Sequence, residues 1–215
     1  MWTQYLGAMA AMLLVSSDLA AAGLDIVVVD QKGAPAASAV VMLRPEKEID
    51  TAAVPASKAT TTIIDQVDET FVPFVTAIRT GESVEFRNSE RVRHHVYSFS
   101  KLKPFELEND PGELSAPVRF DEPGVVALGC NIHDDMLAFV FVASSPWAAV
   151  VGADGRTRFD ELPAGSYVAE VWHPRLKPGS GPPVEKVAIG AGRTEVSFSL
   201  RLSDQKRQRG HQHDY

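Results

Sequence analysis

From Leu24 onward the chain reads as short β-rich runs, and no stretch sustains the period of a long amphipathic helix. The runs are LDIVVVD, SAVVMLRP, TTTIIDQ, ESVEFRN, HHVYSFS, GVVALGC, AFVFVAS, SYVAEVWH, VEKVAI and EVSFSL. Many alternate apolar with polar, which places one face in a core and the other in water. Turn residues separate them: Gly33, Gly81, Pro123-Gly124, Asp154-Gly155, Pro163-Ala164-Gly165, Gly190 and Gly192. Strands so spaced, without intervening helices, predict an all-β protein built of sandwiches rather than βαβ units.

The N-terminus has a different character. Residues 6–16 are apolar but too short to span a bilayer, and Ala20, Ala21 and Ala22 precede Gly23. This pattern predicts a secretory signal peptide over 1–22, although its first residues carry no Lys or Arg; a buried first helix is the alternative. The expectation is therefore an exported protein, periplasmic or secreted, with no stable membrane insertion, since no later run is long and apolar enough to span. The net charge of −7 argues against nucleic acid as a partner.

In an oxidising compartment a lone thiol has no internal partner and is open to oxidation. Cys130 is the single cysteine, in GCNIHDDM at 129–136. With His133 and Met136 it forms C-x-x-H-x-x-M, directly after the apparent strand GVVALGC. A thiolate, an imidazole and a thioether so close in sequence can converge on one ion, and the soft sulfur ligands favour copper. A blue electron-transfer site needs a second imidazole, which RNSERVRHHVYSFS (87–100) offers as His94 or His95. The bland reading is a buried cysteine acting as a small hydrophobe beside two loop residues. A zinc site would leave Met136 without a role.

Residues 60–143 resemble a cupredoxin, the blue copper fold. GESVEFRNSERVRHHV is similar to the family's strand, Asn and first ligand His, and FDEPGVVALGCNIHDDMLAFVFV to its strand, ligand loop and closing strand. The short ligand loop resembles that of amicyanin, and the chain more broadly resembles exported methylamine-utilisation or plastocyanin-like proteins. The resemblance implies a Greek-key sandwich holding one type 1 copper per chain. Its ligands would be His94, six positions after Asn88, with Cys130, His133 and the axial Met136. The position after the first ligand, usually a bracing Asn, is His95 here, so either the bracing is altered or His95 is itself the ligand; strand alternation leaves this open. Asp134-Asp135 replaces Pro or aromatic residues of relatives, and Glu90 stands where Asp is common.

Residues 149–200 resemble a carboxypeptidase-regulatory or prealbumin-like sandwich, a second small Ig-like unit. Its usual opening strands are absent nearby but stand at 25–44, DIVVVDQKGAPAASAVVMLRP. We therefore expect a split domain: 23–57 and 145–202 forming one sandwich, with the cupredoxin of 58–144 inserted in a loop. The alternative is that 24–47 adds edge strands to the cupredoxin. Residues 46–61 and 176–183 read as loops, and 203–215 as a disordered tail whose His211 and His213 could hold a metal only weakly. His173 reads as a structural strand-end residue.

The function expected is single-electron transfer between unidentified redox partner proteins, without enzymatic activity. Asp134 and Asp135, ringing the ligand loop, would favour a partner with a basic docking face. The alternative is a copper-binding module for storage, delivery or sensing, with a solvent-open site. An enzyme using Cys130 as nucleophile and His133 as base lacks any sign of an oxyanion hole.

Overall fold

The computed structural model describes residues 22–48, 61–133, 135–177 and 179–204. The expected signal segment, most of the 46–61 loop, Asp134, His211 and His213 lie outside the described residues. The described chain forms sixteen strands, and no helix in it is long and apolar enough to cross a membrane.

Two sheets come from the two ends of the chain. In the first, β1 (Gly23–Asp30) lies between β13 (Arg156–Asp160) and β16 (Arg193–Leu200). In the second, the order is β12 (Trp147–Val150), β2 (Val40–Pro45), β14 (Gly165–Trp172), β15 (Val184–Ile189). Strand β1 runs parallel to β16 in register Ile26↔Val196, and β2 pairs antiparallel with both β12 and β14. Leu24, Ile26, Val28, Leu43, Phe159, Tyr167 and Phe198 fill the core between these sheets. Arg193 clamps β1 with a two-pronged hydrogen bond to the Asp25 carboxylate, which holds that carboxyl down to about 2.

The middle of the chain forms the other pair of sheets. One has the order β5 (Val75–Arg79), β11 (Leu137–Ala143), β10 (Gly124–Gly129), β7 (His94–Ser98), β8 (Phe105–Asn109). The other has the order β4 (Thr70–Val72), β3 (Thr62–Val67), β6 (Ser83–Asn88), β9 (Val118–Arg119). Ile64, Phe86, Val96, Phe120, Val126, Leu128 and Val140 pack between them. Among the described residues, β1 and β2 form ladders with strands from 147–200 and with none from 62–143.

The chain leaves β2 for the middle sheets and returns beside it. The Ser145 hydroxyl donates to the Leu43 carbonyl, and Trp147 then pairs with Leu43. Both ends of the intervening segment therefore meet at one place, the geometry in which an insertion leaves the host sheet intact.

A third apolar cluster joins the two sandwiches. Val40 and Met42 of β2 meet Val75 of β5 and Phe141 and Ala143 of β11, and the Trp172 ring stands 5.7 Å from that of Phe141. This explains why VVMLRP and FVFVA do not alternate: their strands are buried on both faces.

Candidate metal centre

The site is built at one end of the five-stranded sheet. Strands β10 and β11 form an antiparallel hairpin closing at Gly129↔Leu137, so residues 130–136 make its connecting loop. Cys130 directly follows β10, Met136 directly precedes β11, and His94 opens the neighbouring β7. Strand β7 meets β10 at Tyr97↔Gly129. A Cβ at residue 129 would lie 2.6 Å from Cζ of Tyr97, so glycine beside Cys130 makes room for the Tyr97 ring to lie across β10.

Within this frame His94 Nδ1 stands 3.4 Å from Cys130 Sγ. Two donors at that separation can share one ion at ligand distances of about 2.0–2.3 Å. His94 is 0% exposed, Cys130 2% and Met136 2%, and the two sulfur residues belong to the core cluster around Leu128 and Ala138. The His133 ring lies 5.5 Å from that of His94, centre to centre, and its side chain is 27% exposed. His133 Nδ1 is nevertheless buried and has no hydrogen-bond partner among the described residues. An orphaned imidazole nitrogen, a neighbouring thiol and a buried thioether fit a copper ion by softness and by donor type.

The two adjacent histidines separate by burial. His94, Val96 and Ser98 face the core, while His95 and Tyr97 face outward. His95 Nδ1 lies 3.8 Å from Glu106 Oε1, and Asn131 Nδ2 donates to that same oxygen at 3.0 Å. Glu106 of β8 thus ties the strand that starts at His94 to the residue after Cys130.

Asn88 shapes the approach to His94. It is fully buried, and its Nδ2 donates to the carbonyls of Val92 and Asn109, both at 2.8 Å. Its Oδ1 accepts the Glu90 N–H at 3.0 Å. This Asx-type turn carries Glu90 back toward the ring. Glu90 Oε2 comes to 3.1 Å from His94 Nε2, close enough for an ion pair though off the axis of a hydrogen bond. Glu69 Oε1 stands 3.6 Å from His133 Nε2.

Glu69 and Glu106 escaped the sequence reading. Glu106 had a signal, since FELEN alternates as a strand; Glu69 had none, because its contact joins a turn to a loop more than sixty positions away. His173 lies apart from this cluster. It is buried, its Nε2 donates to the Ala37 carbonyl and its Nδ1 accepts the Arg175 N–H, a structural arrangement. Burial pushes its pKa down to about 4.

No protein-family model matches the chain, and no curated protein matches it. Solved structures do. A copper-containing nitrite reductase from Thermus scotoductus is 23% identical over 47% of this chain at TM-score 0.38, and the chain spans a quarter (25%) of that reductase. A purple cupredoxin from Nitrosopumilus maritimus is 20% identical, with 38% of this chain and 99% of that one covered, at TM-score 0.35. A single-residue mutant of amicyanin in its Cu(I) form is 18% identical, with 48% of this chain and 98% of that one covered, at TM-score 0.35. At these identities and scores the similarity carries no inference about the site, which stands on its own geometry.

Proposed function

We propose that the middle sandwich is a cupredoxin-like type 1 copper domain and that the protein carries single electrons between redox partner proteins. The ligands in this reading are His94, Cys130, His133 and Met136, with one copper per chain. The observation that carries it is the burial pattern: His94, Cys130 and Met136 are sealed in a core at 2% exposure or less, while His133 keeps an edge at the surface.

A copper ion held there would supply one-electron chemistry. The protein's part is to keep the ligands still and dry. His94 opens β7 and Cys130 directly follows the adjacent β10, both buried, so neither moves without disturbing the core. His133 offers the short path between the interior and a docked partner. Storage or delivery of copper calls for an open site from which metal leaves easily, and the burial of both sulfur residues disfavours it. A cysteine nucleophile could use His94 as base at 3.4 Å, but the buried Cys130 presents no face to a substrate.

In the same reading the protein is exported, 24–47 and 145–202 form a host sandwich, and the partner docks with a basic face near the exposed Asp135. The test of the copper assignment is a visible absorption titration with Cu(II). The expected result is an intense thiolate-to-copper band saturating at one equivalent in the parent protein and absent in Cys130→Ser. A parent protein without the band, or a coloured Cys130→Ser variant, would overturn it.

A further inference from the structure

The turn joining β3 to β4 holds a glutamate where the backbone favours glycine. Asp68 has φ 48° and Glu69 φ 55°, and the flanking Val67 and Thr70 pair directly. A two-residue hairpin turn with both φ positive selects glycine at its second position. Glutamate there is strained relative to a residue without a Cβ. The hairpin itself gains nothing from that side chain.

What the side chain and its backbone reach is the candidate metal centre. Glu69 Oε1 is 3.6 Å from His133 Nε2, an ion-pair separation. The Glu69 N–H donates at 2.7 Å to Oε1 of Glu90, whose other oxygen is 3.1 Å from His94 Nε2. Each histidine therefore has a carboxylate behind its Nε2, and the Glu69 backbone N–H ties the Glu90 carboxylate to the turn that carries Glu69. On the opposite side of the rings, His94 Nδ1 faces Cys130 and His133 Nδ1 is buried without a hydrogen-bond partner among the described residues.

Resting on the copper reading above, we propose that Glu69 is a positioning residue for the metal centre, with Glu90 as its counterpart behind His94. A carboxylate beside Nε2 holds the ring proton there, leaves the Nδ1 lone pair free for the metal and makes it a stronger donor. Its negative charge also favours the more highly charged oxidation state of the bound ion. Of the two ligand histidines, His133 is the one with a surface edge, and Glu69 restrains it where the core does not. The unfavourable backbone at residue 69 is then the cost of aiming a carboxylate and an N–H at the site together.

The experiment compares the parent with Glu69→Gln and Glu69→Gly, measuring Cu(I) and Cu(II) affinities, reduction potential and the thiolate-to-copper band. In Glu69→Gln the band persists, Cu(II) affinity falls roughly tenfold, Cu(I) affinity falls less, and the reduction potential rises. Glu69→Gly reproduces the rise in potential while the metal-free protein melts at a higher temperature, because glycine suits the turn. A coloured parent whose Glu69→Gln variant keeps the parental affinities and potential overturns this proposal alone. A colourless parent overturns it together with the copper assignment.

Discussion

His94 and Cys130 lie 36 positions apart in the chain, yet His94 Nδ1 comes to 3.4 Å from Cys130 Sγ inside the core. The contact exists because β7 and β10 are neighbours in one sheet, with His94 opening β7 and Cys130 directly following β10. His95, one residue on, is turned to the opposite face.

That opposition sets the first prediction. His94→Ala removes a proposed ligand and should abolish the coloured copper site. His95→Ala leaves a coloured site whose copper affinity is lower by roughly tenfold, because it disturbs only the Glu106 link between β7 and the Cys130 loop. Copper titrations of both variants check the ranking, and the reverse order would make His95 the ligand.

Gly129→Ala forces a Cβ into the Tyr97 ring, whose nearest atoms lie at 2.6 and 2.7 Å. The expected cost is about 1–3 kcal/mol of stability, with a shifted thiolate-to-copper band because Cys130 is the next residue. Adding Tyr97→Ala makes room for the new methyl group. Denaturation midpoints and spectra of the single and double variants should show the band returning toward its parental position.

Phe141 tests the joint between the sandwiches. It is buried against Trp172 at the end of β11 far from the ligand loop. Phe141→Ala should cost about 3–5 kcal/mol while copper binds with unchanged colour. For the same reason residues 61–144 expressed alone should bind copper but self-associate, since Val75, Phe139 and Phe141 lose their cover. Sedimentation of that fragment, with and without Phe141→Lys, reads the outcome.

His173 gives a pH dependence. Burial lowers its pKa to about 4 in the folded chain, with the positive charge of Arg175 acting in the same direction. The unfolded value is about 6.5. The unfolded chain therefore takes up the proton first, and the contribution is complete above about pH 6.5 and fades as pH falls toward 4. Between about pH 7 and pH 5 the loss is roughly 1–2 kcal/mol. His173→Gln should flatten the difference in melting temperature across that interval.

The strands that sequence made legible are those with a clean pattern or a strong apolar run, such as β1, β6, β10 and β14. Strands β4, β9 and β12 escaped because they span only three, two and four residues. VTAIR (β5) is short and lacks clean alternation, RTRFD (β13) carries too little apolar character to stand out, and FELEN (β8) is an edge strand whose inner face is only partly buried. At the site, spacing brought out Cys130, His133 and Met136, because all three lie in one hairpin loop. Strand alternation could not choose between His94 and His95, since adjacent residues of a strand look alike until the core is known; the six-position spacing from Asn88 favoured His94. The carboxylate at 69 was beyond reach as a partner, because its contact with His133 depends on how a turn and a distant loop meet, whereas Glu90 lies four residues from His94 and Glu106 on the strand beside it.

The return of the chain to β2 at Ser145 and Trp147 has a consequence for biosynthesis. Of the described strands β1 emerges first, but its neighbours are β13 and β16, and β16 is the last of them to be made. The middle sandwich contains all its own strands by Ala143 and can close while β1 and β2 are still unpaired. Strand β2 gains both neighbours, β12 and β14, by Trp172, but β1 keeps an open edge until Leu200 is available, so a chain interrupted before then would present a finished candidate metal centre beside an unfinished outer sandwich.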